Sequence, residues 1–327
     1  MKRRMLLGLL AGGIAATPQG SAAQGQAGVR RLGLLSGGAP LIETTVFGGP
    51  LLRGLQQRGY AVGGNLHIER RAAEGRYELM PRLVEELVAS NVEAIFALSY
   101  RAALAAKNGT ALPVVVFSAG DPVATGLVDS LARPGGHLTG ISDLAAELAP
   151  KRLQLLKQIA PQMRRVAMLW NAEDPAMTLR YRVSESAAQA LGLKVEPLGV
   201  RSTEDFEPAL SQMKQNMPDA IFVVDDRLTT VNRRRIFDFA DTNRLPAMYE
   251  VEHIPRDGGL MSYGPDLVES LDRAAALIDR ILKGAKPRDL PFEQPTRYRL
   301  VINLRTARLL GLTVPQVLLA QVDELIE

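Results

Sequence analysis

The chain has 327 residues, 46% of them apolar and 23% charged, which is enough for two α/β lobes and too ordinary a composition for a disordered protein. It has no cysteine, which excludes disulfides, thiolate metal sites, a cysteine nucleophile and a lipid-modified N-terminal cysteine; its three histidines (His67, His137, His253) are not spaced as a metal pair. The net charge of +4 falls mainly on Lys2, Arg3 and Arg4, and no stripe of basic residues interleaved with aromatics suggests nucleic acid as a partner.

The first 23 residues have the three parts of a secretory signal. Lys2-Arg3-Arg4 is the basic region, Met5 to Ala16 an apolar core too short to span a bilayer, and Ser21-Ala22-Ala23 a small-residue cleavage site. Arg3-Arg4 ahead of Met5-Leu6-Leu7 also resembles a twin-arginine signal, so export by either that route or the general secretory route is open. A periplasmic protein is expected.

Apolar runs and helical periodicities then alternate. Strands are expected at Arg31–Leu35, Asn65–Ala72, Ala94–Leu98, Val114–Phe117 and His137–Ile141, with helices between them. Asp121-Pro122 reads as a helix start, because Asp can accept from the first free N–H groups and Pro has none to leave unpaired; Leu127, Val128 and Leu131 would form its apolar face. After a pause near residues 144–150 the rhythm resumes, with strands at Val166–Trp170, Lys194–Val200, Ala220–Val224 and Pro246–Tyr249, a strand and tight turn over Gly258–Asp266, and a last strand at Tyr298–Asn303. Helices separate these strands, and Val317–Ile326 is expected to be a terminal helix. Pro287, Pro291 and Pro295, between Lys286 and Thr296, mark a surface crossing. Arg233-Arg234-Arg235 reads as the solvated face of a helix. The fold class is α/β, with two doubly wound parallel-sheet lobes.

In such sheets ligands bind beyond the carboxyl ends of the strands. The residues expected there are Ser36, Gly37, Gly38, Ser99, Tyr100, Ser118, Asp121, Trp170, Asn171, Asp225 (with Asp226), Tyr249, Ser262 and Tyr263. Hydroxyls and turn amides can hold a carboxylate, carboxylates can hold an amine, and aromatics can stack on a planar or apolar group. The set suits a small amphoteric molecule such as an amino acid. It suits a nucleotide poorly, since neither GxGxxG nor GxxxxGK[ST] occurs, and no GxSxG or histidine triad position points to catalysis. Asp121 and the Asp225-Asp226 pair can equally be helix caps, and Tyr249 and Tyr263 packing residues.

Over nearly its full length beyond the leader, the sequence resembles the substrate-binding proteins of ABC transporters in the tryptophan-import-like branch. The resemblance is carried by Asp121-Pro122-Val123-Ala124-Thr125-Gly126-Leu127-Val128 with Leu131 to Gly136, Leu153–Lys157, Leu169-Trp170-Asn171, Arg244–Tyr249, Gly258–Asp266 and Val301–Ala307. It implies a type I periplasmic binding protein: two lobes joined by a three-crossing hinge and closing on a ligand. The crossings would fall near residues 145, 252 and 290. Lobe 1 would comprise 29–145 plus 253–288, and lobe 2 would comprise 146–252 plus 289–327. The resemblance implies a monomer that binds a small amino-acid-like molecule, aromatic ones among the options, and delivers it to an ABC permease in the membrane, with no cofactor, metal or catalysis. Ser36–Gly38 and Ser118 would take a carboxylate, Asp225 or Asp121 an amine, and Tyr100, Trp170 and Tyr263 would form apolar walls. A ligand-sensing subunit of a membrane receptor, or a two-lobed α/β enzyme, are the alternatives. Where the family usually has a Gly/Thr-Pro turn, this chain has Ser99-Tyr100-Arg101, which would reshape one wall of the cleft.

Overall fold

The computed structural model describes residues 28–143 and 146–327; the expected signal segment and residues 144–145 of the first crossing lie outside these. Five short strands form the first sheet: β1 Arg30–Ser36, β2 Leu66–Ala72, β3 Ala94–Leu98, β4 Val114–Phe117 and β5 Leu138–Ile141. All pair in parallel, in the order β2-β1-β3-β4-β5. β4 and β5 are buried along their whole length, as expected for parallel strands covered by helices on both faces.

The second sheet has seven strands: β6 Arg165–Asn171, β7 Lys194–Val200, β8 Ala220–Val223, β9 Ala247–Tyr249, β10 Met261–Pro265, β11 Tyr298–Asn303 and β12 Glu324–Ile326. Their order is β12-β11-β10-β9-β8-β6-β7. This sheet is mixed rather than purely parallel, because β11 runs antiparallel to β10 and carries β12 parallel to itself.

Sheet membership moves two of the expected lobe boundaries. His253–Arg256 and β10 stay with the second sheet, so the chain crosses after Pro265 rather than near residue 252. The helix Leu267–Leu282 then covers the first sheet, packing its apolar face against the helix Gly48–Gln57. The approach is close: a Cβ on Gly54 would lie 2.8 Å from that of Ala275. Arg58 locks the pair by an ion pair of 2.6 Å with Asp272. Residues 290–293 also remain on the first lobe. Glu293 bridges to Ile141, and Phe292 donates its N–H to the Leu131 carbonyl at 2.7 Å. The third crossing follows that contact.

Two expected elements differ. No helix follows Asp121-Pro122. The Asp121 carboxylate does accept from the N–H groups of Val123 and Ala124, both at 2.9 Å. However, Gly126 takes φ +72°, and Leu127 and Val128 both donate back to the Pro122 carbonyl. The result is a wound turn that buries two apolar side chains without a helical repeat. The terminal helix is also shortened to Gln316–Leu319, and Glu324–Ile326 becomes an edge strand. Asp323 anchors that strand, its carboxylate accepting from Leu300 N–H at 2.7 Å. Among the described residues no helix is long and apolar enough to cross a membrane.

Candidate functional site

A cavity of about 410 Å³ opens between the carboxyl ends of the two sheets. That size lies within the range of about 300–1,000 Å³ usual for small-molecule sites. The first lobe contributes the ends of β1, β3 and β4, the loop Thr44–Phe47 before the first helix, and Tyr77. The second lobe contributes Asp174, Met177 and Arg180 from the helix after β6, Asp225–Arg227 after β8, and Val251, His253 and Asp257.

On the first lobe the backbone is shaped by unusual dihedrals. Ser99 (φ +96°) and Ser118 (φ +55°) both occupy conformations that L side chains rarely adopt, and both line the cavity. Such strain costs of order 1–3 kcal/mol per residue and is held by the surrounding fold. Ser99 Oγ caps the helix that follows by accepting from Ala102 N–H at 3.4 Å. Ser36 Oγ accepts from Gly38 N–H at 3.0 Å, which folds the Ser36-Gly37-Gly38 turn tightly under the cavity. A Cβ on Gly37 would stand 2.8 Å from Cε1 of Tyr77, so the ring's present place against the turn depends on glycine there. The Arg101 guanidinium covers the Tyr77 ring at 4.7 Å from its centroid. Burial pushes the Tyr77 hydroxyl up, so it stays protonated.

The floor is a buried chain of charges that joins the lobes. Arg152 donates to Glu250 at 2.6 Å, Arg180 donates to the other Glu250 oxygen at 3.2 Å, and Arg180 also pairs with Asp143. Ser118 Oγ donates to the same Asp143 oxygen at 3.1 Å. Asp225 and Glu250 are tied reciprocally: Glu250 N–H donates to Asp225 Oδ2 at 2.6 Å, and Asp225 N–H donates to Glu250 at 3.2 Å. Burial, with the Glu250 charge adding to it, pushes the Asp225 carboxyl up to about 7. Asp226 is also raised by burial, against bonds from Thr229 N–H (3.0 Å) and Asn171 Nδ2 (2.6 Å).

Asp225 therefore makes stability depend on pH. Its carboxyl is held above its unfolded value near 4, so the stability associated with it is full below pH 4 and is lost as pH rises through 7. Asp225→Asn should flatten this slope, the variant melting progressively higher than wild type between pH 5 and pH 8. Parallel melting curves for the two proteins over that range would contradict the assignment.

Several contacts cross the cleft. Arg101 pairs with Asp174 at 3.5 Å and donates to the Glu173 carbonyl. Arg227 lies against Gly38, and Phe47 meets His253 edge-on with ring centroids 6.3 Å apart. Burial lowers the His253 pKa, which makes that imidazole a neutral part of the wall. With these contacts made, the lobes are closed on the cavity.

Of the residues read from the sequence, Ser36, Gly37, Gly38, Ser99, Tyr100, Ser118, Asp225 and Asp226 line the cavity. The other six are placed elsewhere. Asp121 is exposed and caps its turn. Trp170 stacks on Tyr181 at 3.7 Å, beneath the helix Pro175–Ala190. Asn171 supports Asp226 from behind. Tyr249 is buried against Phe237, Ser262 is fully buried within β10, and Tyr263 stacks on Tyr298 while its carbonyl accepts from Arg152 at 2.7 Å. Trp170 and Tyr263 are thus not the apolar walls; Phe47, Tyr77, Tyr100 and His253 take that place. Among the described residues no three histidine or carboxylate side chains are grouped as a metal site.

This architecture recurs in known proteins. The chain is similar to a tyrosine-binding protein of Clostridioides difficile (strain R20291), 24% identical over 262 residues, which are 80% of this chain and 75% of that protein. It is similar to an ABC domain from Streptococcus pneumonia solved in complex with L-Trp, 25% identical, with a TM-score of 0.84 over 91% of this chain and 99% of that one. It shares the fold of a substrate binding protein with adhesive properties from Clostridium difficile, solved ligand-free and open, at 22% identity, a TM-score of 0.65 and the same coverage of both chains. Two α/β lobes around one cleft are the fold of the type I periplasmic binding proteins. Residues 43–326 match the family of ABC transporter substrate binding proteins, and the chain belongs to that family, whose members bind small-molecule ligands and deliver them to an ABC permease.

Proposed function

We propose that this protein is exported to the periplasm and captures an amino acid with a flat apolar side chain for import. The observation that carries the reading is the closed interlobe cavity, in which Phe47, Tyr77, Tyr100 and His253 supply flat surfaces beside a charged floor. A planar side chain gains by stacking there, and a zwitterionic head finds charges of both signs nearby. The relatives that bind tyrosine and L-Trp support the same class. The export step rests on the N-terminal sequence pattern.

The reading includes no turnover. The carboxylates in the lining are engaged by backbone N–H groups or arginines, an arrangement that fixes geometry rather than leaving a base free.

Thermal melting of the purified protein against the twenty amino acids tests the ligand class. L-Trp, L-Tyr or L-Phe at a hundred times its Kd should stabilise the folded form by about 2.7 kcal/mol, seen as a rise of several degrees. A shift confined to small or charged amino acids would reject the flat-side-chain reading.

A further inference from the structure

The geometry points to Arg227 as the receptor for a ligand anion, so that the cleft selects its ligand by a carboxylate and does not require an α-ammonium. This rests on the small-molecule reading above and specifies which half of the molecule is recognised by charge.

The charged side chains of the lining are otherwise committed. Arg180 is held by Asp143 and Glu250, and Arg233 pairs with Asp257 at 2.9 Å and donates to the Thr230 carbonyl at 2.8 Å. Asp174 accepts from Ala176 N–H and pairs with Arg101, Asp225 accepts from Glu250 and Val251 N–H groups, and Asp226 is bound by Thr229 and Asn171. Among the described residues, Arg227 is the one charged group of the lining that makes no hydrogen bond or ion pair with the protein. It is half-buried, so its charge is partly removed from water without a counter-ion.

Its position is also built. The side chain crosses the cleft and lies on Gly38, where a Cβ would come within 3.0 Å of its Cδ, 3.2 Å of Nε and 3.7 Å of Cζ. A side chain at position 38 would press on the guanidinium stem and require it to shift by a few tenths of an ångström. Tyr77 lies against the adjacent Gly37, so the guanidinium and the aromatic wall meet the same turn of the first lobe. The alternative cradle for an anion, the Ser36-Gly37-Gly38 turn, is partly spent, because Gly38 N–H already donates to Ser36 Oγ. A planar guanidinium with its N–H fork unspent matches a carboxylate bidentately. The carboxylates across the site already accept from N–H groups of the protein, so an ammonium gains less there than an anion does at Arg227.

The test is calorimetric titration of wild type and Arg227→Gln with three molecules sharing one indole ring: L-tryptophan, indole-3-propionate and tryptamine. Both acids should bind wild type, and both should weaken about 30-fold or more in Arg227→Gln, the size of effect seen when one partner of a desolvated charge pair is removed. Tryptamine should bind wild type more weakly than either acid and be unaffected, or helped, by the substitution. Equal binding of the acids to the two proteins would overturn the proposal while leaving the amino-acid reading intact. Binding of indole-3-propionate but not tryptophan, with the same dependence on Arg227, would uphold the anion receptor and reject the amino acid. Failure of both acids to bind wild type would reject both. Ligand-free Arg227→Gln should melt close to wild type, since no intramolecular bond is lost; a large drop would show the guanidinium to be structural and overturn the assignment.

Discussion

Glu250→Ala is expected to lower the unfolding midpoint by roughly 5–10 °C at neutral pH, following a loss of about 3–5 kcal/mol. Glu250 is 4% exposed, and its carboxylate is shared by Arg152 (0% exposed) and Arg180 (4% exposed). Removing it leaves two guanidiniums close together out of water, with mutual repulsion and one fewer counter-charge. It also cuts the reciprocal bond to Asp225 N–H. Glu250→Gln keeps the shape and the acceptor oxygen and should fall between. Arg82→Ala provides the comparison, because Arg82 meets Glu86 on the surface with its side chain 76% exposed, and such pairs contribute well under 1 kcal/mol. Circular dichroism melts of the three variants decide the matter. A drop of less than 2 °C for Glu250→Ala would mean that Asp143 alone compensates both arginines.

Gly37→Val is expected to abolish most ligand binding, by roughly 30- to 100-fold, with a much smaller effect on folding. Gly37 does not have a positive φ, so valine is sterically acceptable to the backbone itself. The collision is with Tyr77, whose ring atom Cε1 would be 2.8 Å from the new Cβ, with Ser99 Oγ next at 3.4 Å. Overpacking of this kind costs about 1–3 kcal/mol, and here it can be relieved by swinging Tyr77 into the cavity. The ligand would then lose both the ring surface and the space. Titration with the wild-type ligand, alongside a melting curve, separates the two effects. Unchanged affinity would show that Tyr77 is not part of the binding wall.

The strand-end rule located part of the cavity from sequence because parallel strands end where the lobes face each other. Ser36–Gly38, Ser99, Ser118 and Asp225 were legible for that reason. The rule failed at Trp170, Tyr249 and Tyr263, since a strand residue has two faces and sequence alone did not say which one looks into the cleft. Trp170 looks instead toward Tyr181, and Tyr249 toward Phe237. The residues it missed belong to no strand. Phe47 sits just before a helix, Tyr77 opens a short 3-10 turn, and Arg180 lies within a helix. The glycine pair was the available signal: a side chain at Gly37 would meet Tyr77 and one at Gly38 would press on Arg227. Both lobes were readable as alternating strands and helices. The mixed edge was not, because a three-residue strand such as Glu324–Ile326 carries no period to detect.

The helix Leu267–Leu282 has a kinetic consequence. It covers Leu51 and Leu55 of the first lobe, and the Arg58–Asp272 pair that locks it there joins residues 214 apart in sequence. The first 141 residues supply all five strands of that lobe but not the layer that shields one of its faces. A growing chain therefore cannot complete its first lobe until residue 282 has been made, by which time most of the second sheet is also present. Contacts of such long range delay folding, and they couple the two halves so that neither matures as a separate unit. Refolding from denaturant should accordingly be slow and concerted, with the apolar face of the helix Gly48–Gln57 exposed until the covering helix arrives.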